Sequence, residues 1–178
     1  MKRRSLSPWF VSWHQRPDAE IRLFCFPFAG GGASAYRLWA PDISENFELH
    51  SVQLPGRENR LGEEPFTRMN ELVPRLVDEL LQHLDRPYVL FGHSMGAAIA
   101  FEVARHLQEV HGSTPEHLFV SGRSAPHRPS EKTPIYNLPH DDFLTRLKDL
   151  DGTPREVLDH PELMELLIPM LRADFELD

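Results

Sequence analysis

The chain has 178 residues, 40% hydrophobic and 10% aromatic, with a formal charge of -8 at neutral pH; that is enough for one domain with a proper core and excludes a disordered chain. The acidic balance argues against nucleic acid as the main partner, because a phosphate-binding surface draws on a basic excess, and no run approaches the roughly 20 apolar residues that cross a bilayer. One cysteine, Cys25, excludes an internal disulfide and points to a reducing cytoplasm, and ten scattered histidines without paired ligand spacing lead us to expect no metal and no cofactor.

Taken in chain order, "MKRRSLSPWFVSWHQRP" (Met1 to Pro17) is basic, but its apolar part is too short for a signal-peptide core, and "WFV" (Trp9 to Val11) reads as a short strand. A β-type run, "IRLFCF" (Ile21 to Phe26), carries Cys25 as a small apolar filler and leads into the glycine-rich "FPFAGGGAS" (Phe26 to Ser34). "ELHSVQL" (Glu48 to Leu54) is the next strand. Leu72, Leu76, Leu80 and Leu84 then mark a helix over Asn70 to Leu84, in which Pro74 is tolerable only in the first turn. "YVLFG" (Tyr88 to Gly92), a helix over Met95 to Val110 and "HLFVSG" (His117 to Gly122) come next. Several of these strands are continuously apolar, which suits a parallel sheet covered on both faces, and their alternation with helices implies βαβ units.

After Pro126 the pattern changes. "HRPSEKTP" (His127 to Pro134) is a polar connection, and the residues beyond it read as helices only: Asp141 to Leu150, a turn near Arg155 to Leu158, and Glu162 to Leu177, interrupted by Pro169. A purely helical block after a βαβ block reads as a cap or insertion over a sheet.

Gly92-His93-Ser94-Met95-Gly96 is G-x-S-x-G, weak alone but here set between a strand and a helix. That context is what a nucleophile elbow needs: a strained serine at a sharp turn, small residues two positions either side, and a helix leaving at once. The alternative is a plain strand-to-helix turn. Acyl transfer through such a serine also needs donors for a developing oxyanion. The amide of Met95, directly after the serine at a helix N-terminus, is one candidate, and the loop Phe26 to Ser34 is placed to give another, unless it is only a tight turn. Nucleotide binding is disfavoured, because the run G-G-G-A-S-A matches neither phosphate-loop pattern.

The blocks "RLFCFPFAGGGASAYRLW", "VQLPGRENR", "LFGHSMGAAIAFEVAR", "LFVSGRSAPH" and "GTPREVL" followed by "LLIPMLRADFEL" resemble, in order and over nearly the whole chain, the type II thioesterases of the α/β-hydrolase superfamily, which accompany polyketide and nonribosomal peptide synthetases; the animal medium-chain acyl-carrier thioesterase is similar. The resemblance implies an α/β-hydrolase fold with a mostly parallel sheet and a helical lid. It makes Ser94 the nucleophile, gives the oxyanion amides to Met95 and Ala29, with Phe28 next in line, and places the lid from about Ser130. It further implies hydrolysis of acyl thioesters held on the phosphopantetheine arm of an acyl or peptidyl carrier protein, in the cytoplasm. Carrier proteins are generally acidic, so a docking patch on this acidic chain must be local, and Arg123, Arg128, Lys132, Arg146 and Lys148 are the candidates.

In this superfamily the acid and histidine follow the serine, beyond the lid. The sequence ends at Asp178 inside the lid-like block, which leads us to expect a piece truncated before the last strands, with an exposed sheet edge. His93 belongs to the elbow and should point away from the Ser94 oxygen; His106 and His111 lie down the helix, and His140 and His160 lie in the lid. His127, after the fourth long strand, is the nearest substitute, yet a solvated loop histidine is its plainer reading. No acid or base is therefore assigned. Two rival readings stay open: a non-catalytic acyl-binding protein, and a carboxylesterase or acyltransferase on the same elbow.

Overall fold

The computed structural model describes residues 7–128, 133–150, 152 and 155–177. Its sheet has the order β1-β3-β2-β4-β5, from β1 (Phe10–Ser12), β2 (Ile21–Phe26), β3 (Phe47–Val52), β4 (Tyr88–His93) and β5 (His117–Ser121). β1 runs antiparallel to β3, and the other pairs are parallel. Helices α1 (Met69–Leu80), α2 (Met95–His111), α3 (His140–Asp149), α4 (Arg155–Leu158) and α5 (Pro161–Leu177) complete the architecture.

Strand periodicity sorts the core into two faces. On β2, Phe24 and Phe26 point to the side covered by α1 and α2, where they join Val52, Leu72, Leu76, Leu90, Ile99 and Val103. Leu23 and Cys25 point the other way, toward Tyr36 on a 3-10 helix, Ala33–Trp39, that comes after the glycine-rich loop and had no sequence expectation. Burial in this second cluster pushes the Cys25 thiol well above its ordinary pKa, so it is inert filler.

Element boundaries shift by a few residues from expectation. α1 begins at Met69 and closes through a 3-10 turn, Leu81–His83, so Pro74 lies inside the helix rather than in its first turn. The proline withholds one N–H from the helix ladder, and five buried side chains from Leu72 to Leu80 hold the helix regardless. β5 departs from the expectation of strands covered on both faces. Among the described residues it has a neighbour on one side only, and Phe119 and Val120 are 54% and 57% exposed. The last helices form their own apolar cluster around Phe143, Leu147, Met164, Ile168, Met170 and Leu171, while Leu177 at the end of α5 belongs to the core under the sheet.

The connections place the site. β2 feeds β3 on one side of it, whereas β4 feeds α2 and β5 on the other. The carboxyl ends of β2 and β4, in register through Phe26 and Gly92, therefore flank the point where chain direction switches, the crevice where open α/β sheets bind ligands.

Candidate active site

Ser94 stands at the end of β4 with φ 52° and ψ -121°, a conformation costing on the order of 1–3 kcal/mol for a residue with a Cβ. Its N–H donates to the Ser121 carbonyl at 2.8 Å, and its carbonyl accepts from the Ala97 N–H at 2.9 Å. The turn is so tight that a Cβ on Gly92 would lie 2.0 Å from the Gly96 carbonyl oxygen, and one on Gly96 would lie 2.2 Å from that of Phe26. Both contacts are with backbone, so no rotamer relieves them. Small residues two positions either side of Ser94 are thus enforced by chain packing, and Ser94 itself is left half-buried.

Phe26 ends β2, so the contact with Gly96 lays the glycine-rich loop beside the elbow. Tyr36 donates its hydroxyl to the Phe26 carbonyl at 2.7 Å. Next along the loop, the Gly30 N–H donates to Asp174 Oδ2 at 2.7 Å and that of Gly31 to the Phe28 carbonyl at 2.9 Å. Among the described residues, no acceptor engages the amides of Ala29 or Met95. Met95 is fully buried at the start of α2, where the helix dipole favours negative charge.

The neighbouring histidine is committed elsewhere. His93 Nδ1 lies 3.1 Å from Ser121 Oγ on β5, and its ring meets Phe28 edge-on at 6.3 Å between centroids. His106 and His111 lie near each other along α2, and His127 is exposed in the connection after β5. Of the basic candidates around the lid, Arg123, Arg128 and Lys148 are exposed, Arg146 sits 3.7 Å from Asp149, and Lys132 lies outside the described residues. Two apolar cavities, about 380 Å³ between Thr133 and Arg146 and about 330 Å³ over Leu23, Trp39, Phe91 and Phe119, are not lined by Ser94 or the glycine-rich loop. Among the described residues no helix is long and apolar enough to cross a membrane, and no three His, Cys, Asp or Glu side chains gather as a metal site.

Sequence reasoning missed Arg57 and Asp174. Arg57 Nη2 donates to Asp174 Oδ1 at 2.7 Å and Nη1 to Oδ2 at 2.9 Å, with Asp174 0% and Arg57 4% exposed. A signal was there: Asp174 falls three residues after Leu171 and three before Leu177, on the apolar face of α5. A carboxylate on such a face needs a buried partner.

The Thioesterase domain family model matches residues 21–177. The gramicidin S biosynthesis protein GrsT of Aneurinibacillus migulanus is 44% identical over 170 residues, which cover 96% of this chain and 66% of that protein. The medium-chain S-acyl fatty acid synthase thioesterase of Rattus norvegicus is 38% identical over 164 residues, 90% of this chain and 62% of its own length. The structure of BorB, the type II thioesterase from the borrelidin biosynthetic cluster, superposes with a TM-score of 0.85 at 34% identity, covering 97% of this chain and 70% of that one. The chain thus spans about two thirds of the length of the curated relatives it matches. With its elbow, its mostly parallel sheet and these likenesses, the chain belongs to the Thioesterase domain family and has the α/β-hydrolase fold.

Proposed function

We propose that the protein is a serine thioesterase that hydrolyses acyl groups from the phosphopantetheine arm of carrier proteins. Ser94 Oγ attacks the thioester carbonyl, the amides of Ala29 and Met95 receive the oxyanion, and the C–S bond breaks. The hydroxyl proton passes by way of a base to the departing thiolate, and water then cleaves the acyl-Ser94 ester. The observation that carries this reading is the backbone of Ser94, held at φ 52° between two glycines that tolerate no Cβ; a plain turn has no use for that strain.

On the same reading residues 1–129 are the α/β core, 130–178 are a lid over the acyl group, and the setting is the cytoplasm, where a lone buried thiol such as Cys25 stays reduced. By their names GrsT belongs to gramicidin S biosynthesis, BorB to the borrelidin biosynthetic cluster and the rat relative to the fatty acid synthase. The substrate class we infer is accordingly a carrier-bound acyl chain that is stalled, aberrant or ready for release.

One observation favours a second reading, a non-catalytic acyl-binding protein: the histidine beside Ser94 is turned to Ser121. Thiol release from an acyl-pantetheine thioester, measured for the protein and for Ser94→Ala, separates the two. The expected result is turnover that falls by a factor of about 10³ or more in the variant. Acyl binding without turnover, unchanged by the substitution, would establish the second reading instead.

A further inference from the structure

Asp174 and Arg57 sit 117 positions apart, yet together they address the backbone of the glycine-rich loop. Asp174 Oδ2 accepts from the Gly30 N–H at 2.7 Å as well as from Arg57 Nη1. The same Nη1 donates to the Gly31 carbonyl at 3.0 Å. Further along, the Ala33 N–H donates to Gln53 Oε1 at 2.7 Å, and Gln53 Nε2 donates to the Arg57 carbonyl at 2.9 Å. Gly30 holds φ +79°, and a Cβ there would stand 2.9 Å from the Leu171 side chain of α5. The loop therefore has almost no packing side chains of its own between Gly30 and Gly32. Its path is written by hydrogen bonds with buried side chains, the strongest of which have a charged side chain as one partner.

Burying a charged pair is costly, and apolar side chains of similar volume would hold α5 against the core at least as well. What apolar side chains could not do is accept from Gly30 and donate to Gly31. Resting on the reading of Ser94 as the nucleophile, we infer that Asp174 and Arg57 are positioning residues that fix the Ala29–Gly30 and Gly31–Gly32 peptides and with them the amide of Ala29, so that docking of α5 and assembly of the oxyanion site are one event. α5 is suited to that coupling, because Met170 and Leu171 pack in the helical cluster while Leu177 packs in the core.

The test is the double variant Arg57→Met/Asp174→Leu beside the wild type, Asp174→Ala and Ser94→Ala. Three quantities are read: the thermal midpoint, hydrogen exchange of the peptide spanning 27–34 against one spanning α2, and kcat and KM on an acyl-pantetheine thioester. The double variant is expected to melt within a few degrees of wild type, to exchange about tenfold faster in 27–34 with α2 unchanged, and to lose kcat on the order of 10²-fold with KM nearly constant, as for loss of an oxyanion donor. Asp174→Ala should show the same loop and kcat changes with a lowered midpoint. Wild-type exchange and kcat in the double variant would overturn the inference, since the pair would then be structural filler. Unfolding of the double variant would overturn it as well, because the pair would then serve the fold as a whole. Turnover insensitive to Ser94→Ala would sink the thioesterase reading and leave the exchange result to decide the clamp by itself.

Discussion

The two ends of the parallel sheet each bury an arginine with a carboxylate, and they use it differently. At the amino end, Arg22 Nε reaches Glu48 Oε2 at 3.3 Å, and its Nη1 bonds Asp85 and the His83 carbonyl; His50 stacks on Phe24 and places Nε2 3.2 Å from the same Glu48 oxygen. Here side chains mostly face one another, with more than one partner for each charge, although the buried His50 ring nitrogens make no well-aligned hydrogen bond. At the carboxyl end, among the described residues, Arg57 has one carboxylate partner, Asp174, and the rest of both groups' bonding goes to backbone, of the glycine-rich loop and of Pro55. The redundant cluster ties strands together, whereas the single pair shapes a loop. The carboxyl end should therefore be brittle and the amino end tolerant.

The largest break in that comparison comes at the elbow. Gly96→Ala puts a Cβ 2.2 Å from the Phe26 carbonyl oxygen, and β2 and β4 must part to make room. We expect a loss of about 3–5 kcal/mol in urea unfolding, above the roughly 1–3 kcal/mol of ordinary overpacking because the clash is with backbone that no rotamer change relieves. A loss below about 1 kcal/mol would mean that the elbow is far softer than its geometry.

Next comes a matched pair of substitutions. Asp174→Ala leaves the Arg57 guanidinium buried and uncompensated and should cost about 3–5 kcal/mol. Asp85→Asn removes an Arg22 partner whose side chain is 49% exposed, with Glu48 remaining, and should cost about 0.2–1 kcal/mol. Equal losses in the two variants would erase the distinction between the ends.

Acid titration sharpens the comparison further. Burial alone would raise the Glu48 carboxyl, but the neighbouring His50 imidazole and then the Arg22 guanidinium outweigh it and pull the pKa down to about 2, from an ordinary 4.5. A carboxyl whose pKa is depressed on folding adds stability that is fully present above about 4.5 and lost as the pH falls through about 2. The shift corresponds to about 3 kcal/mol. Glu48→Gln should flatten the stability profile in that window by this amount, while its thiol-release rate at neutral pH stays that of the wild type. A variant profile as steep as the wild type's would mean that Glu48 does not govern the acid limb.

Which parts were legible depends on range. The four long strands and the helices after β4 rest on local periodicity and kept their places to within a few residues. The elbow was legible because its demands, small residues two positions from a serine between strand and helix, are local too. Asp174 was half legible, as a charge on an apolar helix face. Its partner was not, since nothing in "LPGREN" says that Arg57 turns inward across 117 positions. The exposure of Phe119 and Val120 is not in the apolar run itself, which gives strand type only, but it falls on an edge strand, where the sequence as a whole predicts exposure.

The smallest expected effect lies on the outer wall of the glycine-rich loop and asks whether that loop is one unit. Glu58 adopts φ +47°, rare for a residue with a long side chain, and its Oε1 accepts from the Ser34 hydroxyl at 2.5 Å and the Ser34 N–H at 3.2 Å. Both residues are exposed, so each hydrogen bond contributes little net stability. Glu58→Gly relieves about 1 kcal/mol of left-handed strain, loses those bonds, and adds about 0.5–1 kcal/mol of unfolded-chain freedom. These terms nearly cancel, and stability should stay within about 1 kcal/mol of wild type. Hydrogen exchange gives the sharper readout: the Ser34 amide should speed up while that of Gly30, held from the opposite side by Asp174, keeps its rate. If Gly30 speeds up too, the outer brace and the buried clamp act as one, and the brittleness of the carboxyl end extends to its solvent-exposed rim.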